Sequence, residues 1–370
     1  MKKILALLLA LMLVVGLAAC GTPAAPAPDS ATDADHIYIA LVAHSPESIL
    51  DDGSFNQGAW DGIQRFLATH GLSDGHARFF QPHSGDDVAR VDLVADAVAW
   101  GANIVVLPGF HFIASSYEMQ DMFPDVKFVL LDATPIGEDG PRIESNLAAI
   151  HYAEEQAGFL AGYAAIMEGY RSLGFMGGHA VPAVVRFGHG FLQGAEFAAE
   201  SLGLEAGNVT VNYMYVGGFA PSPEVATTAS AWFAGGTEVI FAAAGGAGFS
   251  VISGAEASGG TVIGVDVDQS GASNVVITSA MKALDVSVYD MLTDFLNGAF
   301  RGGRELMFDA SVEGIGLPME TSRFQVFTQA QYDAIFALLA DGSIVVDNTV
   351  TPSVAEANLP LSLVTVIELN

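Results

Sequence analysis

Short apolar runs rich in β-branched residues alternate with helical apolar patterns along almost the whole chain, and this alternation narrows the fold more than any other feature. The runs lie near 37–43, 77–81, 103–107, 127–131 and 146–152, then near 172–176, 208–215, 238–244, 260–265 and 274–279. Helical spacing fills 55–69, 86–100 and 112–122 in the first half, and 154–167, 184–201, 222–234 and 248–257 in the second. A long amphipathic pattern over 282–298 and a helix over 329–339 follow. Strand, helix and strand in repetition is the unit of a parallel sheet, because joining parallel neighbours requires a crossover. A chain of 370 residues exceeds what one core accommodates, and 51% apolar residues suffice for two. The expected fold is α/β, with two doubly wound lobes and a cleft between the carboxyl edges of their sheets. Lobe 1 is expected over 36–150, completed by part of 283–370, and lobe 2 over 151–282.

Ligands of open α/β sheets bind beyond the carboxyl ends of the strands. Phe55 and Asn56 follow the first run, Gly109 and Phe110 the third, and Asp132 the fourth. In the second half Phe219, Gly245 with Gly246, Asp266 and Lys282 hold the corresponding places. Taken singly, each has a structural explanation: a glycine pair makes a tight turn, and an aspartate caps a helix. Their convergence on one edge makes them site candidates. Around Phe55, the spacing of Ser54 and Gln57 predicts a capping box, with the hydroxyl taking an orphan helix N–H. An aromatic and an amide in that first turn suit a small, polar aromatic ligand.

The amino terminus points outside the cytoplasm. Lys2 and Lys3 precede an apolar run from Ile4 to Ala18, short for a spanning helix and suited to a signal peptide over 1–19. Leu17-Ala-Ala-Cys20 then resembles a lipobox, which makes Cys20, the sole cysteine, the expected lipid attachment point. Residues 20–35 read as a disordered tether, rich in Pro, Ala, Ser, Thr and Asp. Removing the two leading lysines takes the formal charge from −29 to −31, a surface that repels nucleic acid and disfavours phosphate-rich ligands. No Gly-x-Ser-x-Gly elbow occurs, and the nine histidines show no metal-binding spacing. The reading is therefore a non-enzymatic binding protein with neither metal nor cofactor.

Several segments together resemble the basic membrane protein family, the purine nucleoside-binding lipoproteins of ABC transporters. They are Asp52-Gly-Ser-Phe-Asn-Gln57, Pro124-Asp-Val-Lys-Phe-Val-Leu-Leu-Asp132, Glu155-Gln-Ala-Gly-Phe-Leu-Ala-Gly162 and Phe175-Met-Gly-Gly178. Arg186-Phe187 with Gly190-Phe191, Ala243-Ala-Gly-Gly246, Gly264-Val-Asp-Val-Asp-Gln269 and Thr278-Ser-Ala-Met-Lys282 complete the set. The resemblance implies a type I periplasmic-binding-protein fold whose lobes close by a hinge on a nucleoside. It implies base stacking by Phe55 and Phe219, pocket contacts from Asn56, Asp132 and Gly245, and ribose recognition by Asp266 beside Lys282. Asp268 is the alternative to Asp266. Permease and ATPase subunits are the implied partners, with a lipid anchor on the outer face of the cell membrane. A sugar, an autoinducer or another heteroaromatic solute is the alternative cargo. The chain departs from the family pattern at His44-Ser-Pro-Glu47, where an aspartate is usual.

Overall fold

The computed structural model describes residues 32–369. The first half builds β1 (Ile39–Val42), α1 (Phe55–His70), β2 (Ala77–Phe80), α2 (Asp87–Trp100), β3 (Ile104–Pro108), α3 (Ile113–Met122) and β4 (Lys127–Leu131). A small hairpin, β5 (Ile136–Gly137) and β6 (Gly140–Pro141), precedes β7 (Leu147–Tyr152). The second half continues with α4 (Glu154–Glu168), β8 (Ser172–Gly177), α5 (Pro182–Ser201), β9 (Val209–Tyr215), α6 (Pro223–Ala234), β10 (Val239–Ala243), α7 (Gly248–Ser258), β11 (Thr261–Asp266) and β12 (Val276–Lys282). The chain ends with α8 (Leu284–Leu296), β13 (Arg304–Phe308), β14 (Ile315–Gly316), α9 (Gln329–Ala340), α10 (Val354–Ala357) and β15 (Val364–Glu368).

Two twisted sheets result. The first has the order β13-β7-β4-β3-β1-β2 and is parallel throughout. The second has the order β14-β12-β11-β10-β8-β9-β15, parallel except for β14 at its edge. Strands β1, β3 and β10 are buried at every position, which explains why they read as unbroken apolar runs rather than alternating ones. The chain passes between the sheets after β7, β12 and β13. Helix α8 packs on α1, and β13 extends the first sheet, while β14 and β15 edge the second.

Within the second half, α4 and α5 pack through glycines. A Cβ at Gly158 would lie 2.1 Å from the Phe187 carbonyl oxygen, and one at Gly194 would lie 1.9 Å from that of Phe159. Gly162 and Gly190 make the same approach, so α4 and α5 touch backbone to backbone. This contact fixes the start of α4, where Glu154 stands, against the start of α5, where Arg186 stands.

The signal segment and Cys20 lie outside the described residues. The end of the expected tether belongs to the folded domain instead: the Thr32 N–H donates to the Leu296 carbonyl (3.0 Å), and Asp33 caps a short turn over Ala34–His36. Among the described residues, no helix is long and apolar enough to cross a membrane.

Candidate functional site

A cavity of about 630 Å³ lies between the carboxyl edges of the two sheets. Phe55, Asn56, Asp132, Phe219, Gly245, Asp266 and Lys282 all line it, so the structure brings together the seven pocket residues expected from sequence. Asp268 is turned elsewhere. Its carboxylate accepts from Thr321 Oγ1 (2.6 Å) and from the Ser270 N–H (2.9 Å), outside the cavity lining.

The expected capping box at α1 does not form. Ser54 has no side-chain bond to its helix. Asp52 takes that role: Oδ1 accepts from the Ser54 and Gln57 N–H groups (2.9 and 3.1 Å), and Oδ2 accepts from the Asn56 N–H (3.0 Å). A carboxylate meeting several N–H groups at the positive end of a helix is the stronger cap. The buried Ser54 hydroxyl is thereby free to donate to Asp266 Oδ2 over 2.6 Å. The nearby Asn56 amide donates to the Ile49 carbonyl (3.1 Å), leaving its own oxygen for other partners.

Asp132, directly after β4, and Asp266, the last residue of β11, stand in left-handed backbone, with φ of +58° and +67°. Aspartate tolerates that region better than most residues but at a cost, and strained positions of this kind collect at functional sites. Both turns aim a carboxylate at Lys282, the last residue of β12. Its Nζ lies 2.5 Å from Asp132 Oδ2, 3.2 Å from Glu154 Oε1 and 3.7 Å from Asp266 Oδ1. Glu154 also meets Arg186 (3.2 Å). Two cations therefore face three buried carboxylates.

The balance sets the protonation of the group. Burial alone would lower the Lys282 pKa, but the three carboxylates raise it, so the ammonium persists. Burial pushes Asp132 and Asp266 above the usual carboxylate range, against the pull of Lys282. Burial acts on Glu154 as well, yet Lys282 and Arg186 together hold it low. One oxygen of Asp132, Oδ1, is buried without a hydrogen-bond partner. Lys282 Nζ also sits over the rings of Phe55 (4.8 Å), Phe187 (5.2 Å) and Tyr152 (5.5 Å).

Phe219 lies on the second-sheet side of the cleft, half-buried and edge-on to His179 (5.4 Å). A side chain at Gly178 would come 2.3 Å from its ring, so the Phe175-Met-Gly-Gly178 segment makes room for this aromatic. The cleft combines aromatic walls with an acceptor-rich floor. It suits a flat ring carrying hydroxyl donors. No group of His, Cys, Asp or Glu among the described residues is arranged to hold a metal.

Sequence reasoning missed Asp52, Glu154, Arg186 and Tyr152. Glu154 adjoins one segment singled out for resemblance and Arg186 opens another, which was the available signal. Asp52 was inside one such segment and was passed over for Ser54.

The family model described as ABC transporter substrate-binding protein PnrA-like, Bmp, matches residues 39–339. Among relatives, "ABC transporter nucleoside-binding protein BmpA" of Lactococcus lactis subsp. cremoris is 26% identical over 297 residues, covering 75% of this chain and 80% of the relative. "Basic membrane protein A1" of Borrelia garinii subsp. bavariensis is 27% identical, covering 81% and 86%. Solved solute-binding proteins of ABC transporter systems from Aeropyrum pernix K1 and Conexibacter woesei superpose with TM-scores of 0.66 and 0.67. Their identities are 23% and 24%; each alignment covers 84% of this chain, with 88% and 99% of the respective structures, and they show the type I periplasmic-binding-protein fold.

Proposed function

This chain belongs to the Bmp family of PnrA-like ABC transporter substrate-binding proteins, and from that premise we propose that its cargo is a nucleoside. As a member it is an extracytoplasmic solute-binding protein rather than an enzyme, and such proteins work with permease and ATPase subunits. The observation that carries the nucleoside reading is one cleft holding both Phe55 and Phe219 and the carboxylates of Asp132 and Asp266. A base lies between the two phenylalanines, each stack contributing about 1–3 kcal/mol with little dependence on base identity. The ribose hydroxyls donate to Asp266 and Asp132, and charge-assisted bonds of this type are the strong ones. Lys282 opposes the burial that raises both carboxyls and so favours the ionised, accepting form that meets those donors. The printed name of the Lactococcus relative supports the same cargo. Calorimetric titration with ribonucleosides, 2′,3′-dideoxynucleosides and free ribose tests the assignment.

The anchor belongs to the same proposal. Cys20, behind Leu17-Ala-Ala, receives lipid and holds the protein at the outer face of the cell membrane. Cys20→Ser is expected to release the protein or stall its processing. Membrane fractionation unchanged by that substitution would contradict the anchor.

A further inference from the structure

We propose that the stacked imidazoles of His44 and His111 read the ring edge of the cargo and select a heterocycle that presents hydrogen-bond acceptors there. The inference rests on the nucleoside reading and names the subset of nucleosides favoured, those with a carbonyl oxygen or ring nitrogen on the exposed edge of the base.

Both residues line the cleft, His44 after β1 and His111 after β3. Their rings stack at 4.0 Å with only 3° between planes, and Phe110 leans on His111 at 3.9 Å. Both His44 ring nitrogens lie 3.1 Å from Ser48 Oγ, which lies 3.1 Å from Ser45 Oγ, so two hydroxyls face one side of the ring. Behind the pair stands Arg90, itself buried. Its Nε donates to the His44 carbonyl (2.9 Å), Nη2 donates to the Gly85 carbonyl, and Nη1 pairs with Asp87 (2.9 Å).

This arrangement keeps both rings uncharged. Burial pushes His44 down to about 3, with His111 and Arg90 adding to the shift. Burial also lowers His111 to about 4, helped by Arg90 and His179 and opposed by Asp87. A neutral imidazole retains one N–H donor, and the fixed positive charge of Arg90 favours an acceptor opposite it. The other acids lining the cleft near these loops are Glu47, Asp51 and Asp52. Glu47 and Asp51 are exposed, and Asp52 is committed to the N-terminus of α1. The cleft thus offers acceptors at Asp132 and Asp266 and donors at the histidine pair. A 6-oxopurine ribonucleoside matches both.

Titration calorimetry of the purified protein with inosine, nebularine (which lacks the 6-oxygen) and 7-deazainosine (which lacks the N7 acceptor) tests this. Wild type is expected to favour inosine over at least one analogue by about tenfold, the factor one buried hydrogen bond carries. His44→Phe and His111→Phe should shrink that ratio to about twofold or less, while still preferring inosine to 2′,3′-dideoxyinosine. His44→Gln and His111→Gln, which keep a donor, should retain part of the ratio and guard against misfolding of the bulkier variants. Wild-type ratios near one, or ratios unchanged in the Phe variants, overturn the inference. Failure of wild type to bind any nucleoside overturns the nucleoside reading on which it rests.

Discussion

The hydroxyl of Ser54, on the loop entering α1, donates to Asp266 Oδ2 at the end of β11 over 2.6 Å. One short contact thereby joins the carboxyl edges of the two sheets at the site itself. It also removes Ser54 from the helix cap, which passes to Asp52.

Ser54→Ala therefore leaves α1 capped and should lower stability by only about 1 kcal/mol. Asp52→Ala strips three N–H groups of their acceptor and should cost about 1–2 kcal/mol. Ser54→Ala should instead show its larger effect on the ligand, because burial already raises Asp266 and the lost donor raises it further. Urea denaturation and calorimetry on both variants separate the two roles. A Ser54→Ala variant as unstable as Asp52→Ala, with unchanged binding, would contradict them.

Lys282 is the keystone of the buried charges. Lys282→Met abandons three carboxylates around an apolar group, and breaking a buried pair from one side costs about 3–5 kcal/mol. Adding Asp132→Asn to that variant should recover part of the loss. Chemical denaturation of wild type, single and double variants reads the coupling. Strict additivity would show that the two groups do not act together.

Glu155, in the first turn of α4, gives a pH signature. Burial, then the charge of Glu154, raise its pKa from 4.5 to about 7. A raised carboxyl keeps its proton in the folded state where the unfolded state has lost it. Its stabilising contribution is thus complete below 4.5 and lost as pH rises through about 7. Melting curves across that range should show Glu155→Gln gaining on wild type with rising pH, then levelling. A difference independent of pH would refute the assignment.

The glycine contact between α4 and α5 predicts a sharp contrast. Gly194→Ala drives a methyl into the Phe159 carbonyl and should destabilise by about 3 kcal/mol or more. Gly271→Ala meets nothing within 4 Å and should change stability by about 0.5 kcal/mol or less. Thermal unfolding of the two variants compares them directly.

Much of this was legible because parallel strands buried on both faces are written as local apolar runs, and the residues after them fall on one edge. Phe55, Asp132 and Asp266 could be placed in the cleft on that ground alone. Lys282 is placed after its strand by the same rule. It ends β12 and is buried, because three carboxylates from different elements surround it. The capping box failed for the same reason. Local spacing favoured Ser54, but Asp266, more than two hundred positions away, holds its hydroxyl. Glu154 and Arg186, 32 positions apart, are brought together by a backbone contact between α4 and α5 that local spacing does not reveal.

The central claim is a nucleoside held by two aromatic rings and a carboxylate floor, and calorimetry on wild type, Phe55→Ala, Phe219→Ala and Asp266→Ala tests it most directly. Each phenylalanine variant should lose about 1–3 kcal/mol of binding yet keep the preference for inosine over 2′,3′-dideoxyinosine. Asp266→Ala should bind weakly and lose that preference, since the charge-assisted contacts to the hydroxyls are gone. Wild-type protein that binds free ribose as tightly as inosine, or an Asp266→Ala variant with full hydroxyl discrimination, would contradict the account.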